Sequence, residues 1–158
     1  MKLLNAQKEI LTALNKNPKS VHVLDHGPDG NPVVIVHGCL GYVIPEDELW
    51  IDLEKVEHHS IYTDFVRVRE LPENQLTVTN KLEQTELGLL RLAEHTDDIF
   101  GEHDDVWLQD GLLKNFTLPN LYQEKGKPKG LILITENTTA KGEHIVGIML
   151  PVSHNKED

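Results

Sequence analysis

Leu3, Ile10 and Leu14, with Ala6 and Leu11 beside them, recur at the spacing of three to four residues that puts side chains on one helical face. Asn15 and Asn17, followed by Pro18, supply a stop, so the spacing predicts a helix over residues 3–15. The rhythm then changes. Residues 21–25 are short and β-branched, and His26-Gly27-Pro28-Asp29-Gly30-Asn31 has the composition of a turn. Residues 32–37 hold the unbroken apolar run Val33-Val34-Ile35-Val36, which reads as a buried strand. A turn at 38–41 and a second strand at 42–44, ended by Pro45, complete a strand followed by a hairpin.

The middle of the chain is less periodic. Residues 46–56 suggest a loop with a short strand at 49–53, and 58–63 fit no single template. Residues 65–69 alternate apolar and basic side chains, the pattern of a half-buried strand, and 76–79 have strong β propensity. Residues 82–94 fit either an amphipathic helix or two strands around Gly88, with strands preferred, and 95–105 read as an acidic loop. Periodicity returns with a strand at 106–109. Asp110 suits the N-cap of a short helix through Leu112, Leu113 and Phe116. Strands at 121–124, 131–135 and 144–150 follow, with turns at 126–130 and 137–143 and a stop at Pro151. The chain thus reads as one α+β domain over 1–152 with a polar tail at 153–158.

The two ends run through the same elements: helix, short strand, turn, hairpin. Corresponding points lie at similar offsets, 102 from Leu14 to Phe116, 98 from Val33 to Leu131 and 106 from Pro45 to Pro151, although few residues are identical. A strand, a helix and three strands, occurring twice, resembles the plan of one domain of the DNA polymerase sliding clamps. The second half carries the likeness best, with its strand at 106–109, its helix at 110–116 and three strands ending in Gly147-Ile148-Met149-Leu150-Pro151-Val152. That ending is similar to the apolar, Met-Pro-containing final strand of bacterial clamps. The resemblance covers residues 1–45 and 106–152. It implies a mainly antiparallel sheet with two helices on one face, related by a pseudo-two-fold axis, and a non-enzymatic phage or mobile-element protein acting in DNA replication or its regulation. Clamp helices are basic and line the DNA channel; Lys2, Lys8, Lys16 and Lys114 lie on or near the two helices here. The chain departs from the plan in lacking an opening strand before its first helix. It also has room for one such domain, so a ring would need several copies or borrowed partners.

Charge sharpens this picture. The formal net charge of −11 disfavours general attraction to nucleic acid or an anionic membrane, so DNA could be met only through a local basic face. Residues 1–20 supply one, with four lysines against Glu9; Lys114, Lys125, Lys127 and Lys129 against Glu124 form another. The acid concentrates at 46–57, with Glu46, Asp47 and Glu48, and at 94–105, with Asp97, Asp98, Asp104 and Asp105. An alternative reading is therefore an acidic protein that captures a basic partner or mimics DNA to inhibit a DNA-binding enzyme. A protein partner is expected, as is self-association, because strand edges at 65–69 or 144–150 would need covering. The apolar runs are far too short for a membrane span, and the N-terminal stretch lacks the apolar core of a signal peptide, so no membrane association and a cytoplasmic location are expected.

Candidate chemistry is sparse. Nine histidines invite a search for metal ligands, and His95, His103, Asp104 and Asp105 would serve a metal-dependent hydrolase, a third reading. These residues crowd into one loop, and no His-Glu-x-x-His or calcium-loop spacing occurs. Cys39, the one cysteine, has His37 two residues before it as a candidate base, but its flanking glycines miss the spacing of a nucleophile elbow. Neither a phosphate loop nor a dinucleotide fingerprint is present, and Pro128 removes a donor from the lysine-rich turn at 126–130. No catalytic residue, metal site or cofactor is assigned. Trp50 and Trp107 are expected as packing anchors against the sheet, although Glu48-Leu49-Trp50-Ile51-Asp52-Leu53 would also suit a contact surface.

Overall fold

The computed structural model describes residues 1–60, 68–71, 76–79, 82–84, 89–92, 107–109, 111–124, 127, 130–138 and 142–150. A helix, α1 (Leu3–Lys16), leads into three strands, β1 (His22–Asp25), β2 (Val33–Val36) and β3 (Leu40–Val43). After two 3-10 turns at Glu46–Glu48 and Leu53–Lys55 come β4 (Glu57–Ser60) and β5 (Leu76–Thr79). Next are β6 (Leu82–Gln84), β7 (Leu89–Leu92) and β8 (Trp107–Gln109), followed by β9 (Asn120–Glu124), β10 (Ile132–Thr138) and β11 (Gly142–Met149).

Eight of these strands form one sheet in the order β4-β1-β2-β3-β11-β10-β9-β5, and β6-β7-β8 form a second. The large sheet is mixed but mostly antiparallel; its parallel pairing joins β1 to β4. Two three-stranded meanders, β1-β2-β3 and β9-β10-β11, meet at their last strands, where Tyr42 pairs with Gly147 and Gly41 with Ile148. Outward from that seam the three strands of each meander follow in the same order, but the strands beyond them differ: β4 is parallel to β1 and β5 antiparallel to β9.

Side chains alternate across a strand, so a strand with both faces covered is apolar throughout. Val33–Val36 is fully buried for this reason. Val34 and Val36 pack into one core with Ala6, Ile10 and Ala13 of α1, Tyr42, Ile132, Ile134 and Phe116. Val33 and Ile35 face the opposite way, into a second core with Leu131, Leu133 and Ile148. The corresponding positions of β2 and β10 therefore share faces.

Several expectations are corrected. The second helix expected at 110–116 does not form over its described residues: 111–118 make turns and bends, with Lys114 N–H on the Gly111 carbonyl and Phe116 N–H on that of Leu113. Gly111 sits at φ 87°, a left-handed conformation that ends helical propagation at its start, while Leu112 and Phe116 are still drawn into the core. Two helices on one face are thus one helix and one turn segment among the described residues. The strand expected at 49–53 is irregular chain over 49–52, with Leu53 opening the second 3-10 turn. Trp50 is half exposed rather than buried, because Leu49 and Ile51 on either side take the inward positions. Of the strand expected at 65–69, residues 65–67 lie outside the described residues, and residues 68–70 make a helical turn. The last strand is not an open edge, since β11 is paired with β3 on one side and β10 on the other. β10 and β11 also extend into the expected loop at 137–143, pairing Asn137 with Glu143 and Thr138 with Gly142 beyond a register shift at Ile134/Thr135. The two-strand reading of 82–94 holds at β6 and β7. No described helix is long and apolar enough to cross a membrane. The tail at 153–158 lies outside the described residues.

Candidate functional site

Asn5, Lys8, Glu9, Thr12 and Lys16 follow the same three-to-four-residue spacing as the buried stripe of α1, rotated toward its flank. That flank forms one wall of a groove of about 480 Å³. Lys114 and Asn115 of the turn segment supply the other wall, and His37 closes one end. Two contacts hold the walls together. Lys2 donates its backbone N–H to the Asn115 carbonyl at 2.7 Å. The buried Glu136 carboxylate takes both the Met1 amino group and the Thr117 N–H.

Beneath the groove lies a hydrogen-bonded hub centred on Glu9. Tyr42 donates to Glu9 Oε2 at 2.8 Å, and Asn115 Nδ2 donates to the same oxygen at 2.7 Å. Asn115 Nδ2 also reaches Tyr42 Oη at 3.0 Å. The other carboxylate oxygen, Oε1, lies 3.0 Å from His37 Nε2. Tyr42 is fully buried and stacks on Phe116 with ring centroids 5.4 Å apart. Burial, with the Glu9 carboxylate beside it, pushes the Tyr42 phenol far above its usual pKa, so it acts as a fixed donor. His37 can point back toward Glu9 because it and Gly38 adopt left-handed backbone, with φ of 57° and 72°.

Lys8, Lys16 and Lys114 are exposed at this groove, so three of the four candidate lysines come together, three ammonium groups against one carboxylate. Lys2 is exposed at the start of α1 but does not line the groove. Glu46, Asp47 and Glu48 form an exposed 3-10 turn on the opposite flank of α1, tied to it by Gln7 Nε2 on the Glu48 carbonyl and Trp50 N–H on Gln7 Oε1. Asp97, Asp98, Asp104 and Asp105, with His95 and His103, lie outside the described residues. Among the described residues no three His, Cys, Asp or Glu side chains gather as a metal would require. His37 serves Glu9, and burial raises the Cys39 thiol above its ordinary pKa, so the pair lacks the arrangement of an activated nucleophile.

Glu9, Tyr42 and Asn115 were not singled out by sequence reasoning. One signal was available: Tyr42 falls at an inward position of a strand, and a buried phenol needs a partner. Compared with protein-family models, curated proteins and solved structures, the chain matches none of them.

Proposed function

We propose that this chain is a non-enzymatic binding protein, built on a pseudo-two-fold, clamp-like domain, that meets the phosphate backbone of DNA through the groove beside α1 and acts in replication or its regulation. The observation that supports it is the convergence of Lys8, Lys16 and Lys114 on one groove, on the sheet face that carries α1. Matching meanders joined at β3 and β11 suit a pseudo-symmetric domain, and a ring of such domains would be assembled from several copies. The Glu9 hub gives the lysines a stable platform, because Glu9 is held by three side chains from two other parts of the chain. Because the chain as a whole carries a net charge of −11, binding is local, weak and dependent on salt.

The test is fluorescence anisotropy of labelled duplex and single-stranded DNA at 25–200 mM salt, with native mass spectrometry on the same samples. Binding at low salt is expected, with the salt slope reduced by about one for each lysine replaced by alanine. Absence of DNA binding at low salt, or binding unaffected by the triple lysine variant, overturns the reading.

A further inference from the structure

The geometry points to a proton-operated latch at His58, which fastens the parallel edge strand β4 to β1 and to the 3-10 turn before it. The inference is independent of the lysine groove. His58 Nδ1 lies 2.9 and 3.1 Å from the two carboxylate oxygens of Asp25 at the end of β1. Its other ring nitrogen, Nε2, lies 2.5 Å from the Leu53 backbone carbonyl. Both partners are acceptors without a proton to give. A neutral imidazole carries one N–H, so in either tautomer one ring nitrogen would turn a lone pair toward an oxygen lone pair. Only the imidazolium donates at both ends. Protonation therefore closes the latch, and loss of the proton removes one of its two bonds.

The surroundings reinforce this sign. Asp25, Glu46, Glu54 and His26 line the same recess of about 280 Å³ beside His58. Three of the four are carboxylates, which favour the cation; His26 is the group that would oppose it when charged. On the strand pair itself, His22 lies opposite Glu57 and Leu24 opposite His59. His22 meets the His59 ring edge-on at 4.9 Å, and His59 lies 3.4 Å from Glu57. The pKa directions agree: the Leu53 carbonyl and then Asp25 raise His58, whereas burial and then His59 lower His22. The two histidines thus act with opposite signs. His58 stabilises below its unfolded value of about 6.5 and loses that contribution as pH rises through its folded pKa. His22 contributes above that value and loses its share as pH falls through its own folded pKa.

What the latch holds is the outermost strand on that side of the sheet, joined to it by the one parallel pairing among the described strands. Loss of the proton would leave β4 held by its ladder to β1 and by one of the two His58 bonds, loosening its tie to Asp25 or to the turn at 53–55. The sheet edge thereby responds to pH in the range where histidine titrates.

NMR titration of the histidine rings in the intact chain tests this directly. The His58 midpoint is expected above about 6.5, and Asp25→Asn should shift it down. Hydrogen exchange of the β4 amides, compared at each pH between the wild-type chain and His58→Gln, supplies the second readout. Greater protection in the wild type is expected at pH 5.5, with the difference shrinking as pH rises through the His58 midpoint; His22 is present in both chains and cancels. A wild-type His58 midpoint at or below 6.5, no shift with Asp25→Asn, or a protection difference independent of pH would each overturn the latch. If His58→Gln does not fold, the titration of the wild type and of Asp25→Asn still decides.

Discussion

Tyr42 on β3 donates its phenolic proton to Glu9 on α1 across 2.8 Å, joining the centre of the sheet to the helix that covers it. The same carboxylate oxygen takes Asn115, so one acceptor ties together three segments distant in the chain. Tyr42→Phe removes one donor and leaves Glu9 with Asn115 and His37, and a net hydrogen bond to a charged group is worth about 1.5–3 kcal/mol. Urea denaturation should give a loss in that range. Asn115→Ala should cost at least as much, because it takes one donor from both Glu9 and Tyr42 and opens a void in a site 3% exposed. Their double mutant should be less destabilised than the sum of the two, since the donors share one oxygen. Strict additivity would show that the hub is not a unit.

Gly147 is required by close approach at the seam between the meanders. A Cβ there would lie 2.7 Å from the Gly41 carbonyl and 2.8 Å from the Phe116 ring. The carbonyl belongs to the paired strand and cannot move without breaking the ladder, and overpacking of this kind costs about 1–3 kcal/mol. Gly147→Ala should lower the thermal midpoint by several degrees. It should also disturb the Phe116–Tyr42 stack, visible as a change in near-ultraviolet circular dichroism. A variant with unchanged stability would mean that the two meanders are less closely joined than described.

The legible parts of this fold are those in which neighbours in sequence share a role. α1 was marked by its own apolar spacing and stop residues, and β2 by four consecutive apolar residues that only a strand covered on both faces would carry. The segment leading to Phe116 carries helical spacing at Leu112, Leu113 and Phe116, but the left-handed Gly111 and the separate demands of the core decide its backbone. Trp50 was misread for a related reason: its size suggested burial, but the register of its neighbours turned it outward. The three groove lysines are legible as charge on a helix and near a second element. The hub beneath them was not. Glu9 meets partners 28, 33 and 106 residues away, and no local pattern records such pairings.

Glu143, near the start of β11, carries a pH dependence opposite in sign to that of His58. Burial by itself would raise its pKa, but hydrogen bonds from Thr135, Tyr122 and Asn120 outweigh it and hold the carboxyl below the usual range. Thr135 and Tyr122 reach the same oxygen, Oε1, from β10 and β9, so the side chain bridges three neighbouring strands beside the bulge. A carboxylate with a depressed folded pKa contributes stability above its unfolded value, about 4.3, and loses it as pH falls through the folded pKa. Glu143→Gln keeps one acceptor and removes the charge. The wild type should therefore exceed this variant in stability by a constant margin between pH 5.5 and 7.5, and the margin should shrink below about pH 4. Thermal denaturation of both chains across that range measures it. A margin that persists unchanged to pH 3 would assign the effect to packing of the side chain, and a margin absent at pH 7 would show that solvent competes successfully for the Thr135 and Tyr122 hydroxyls.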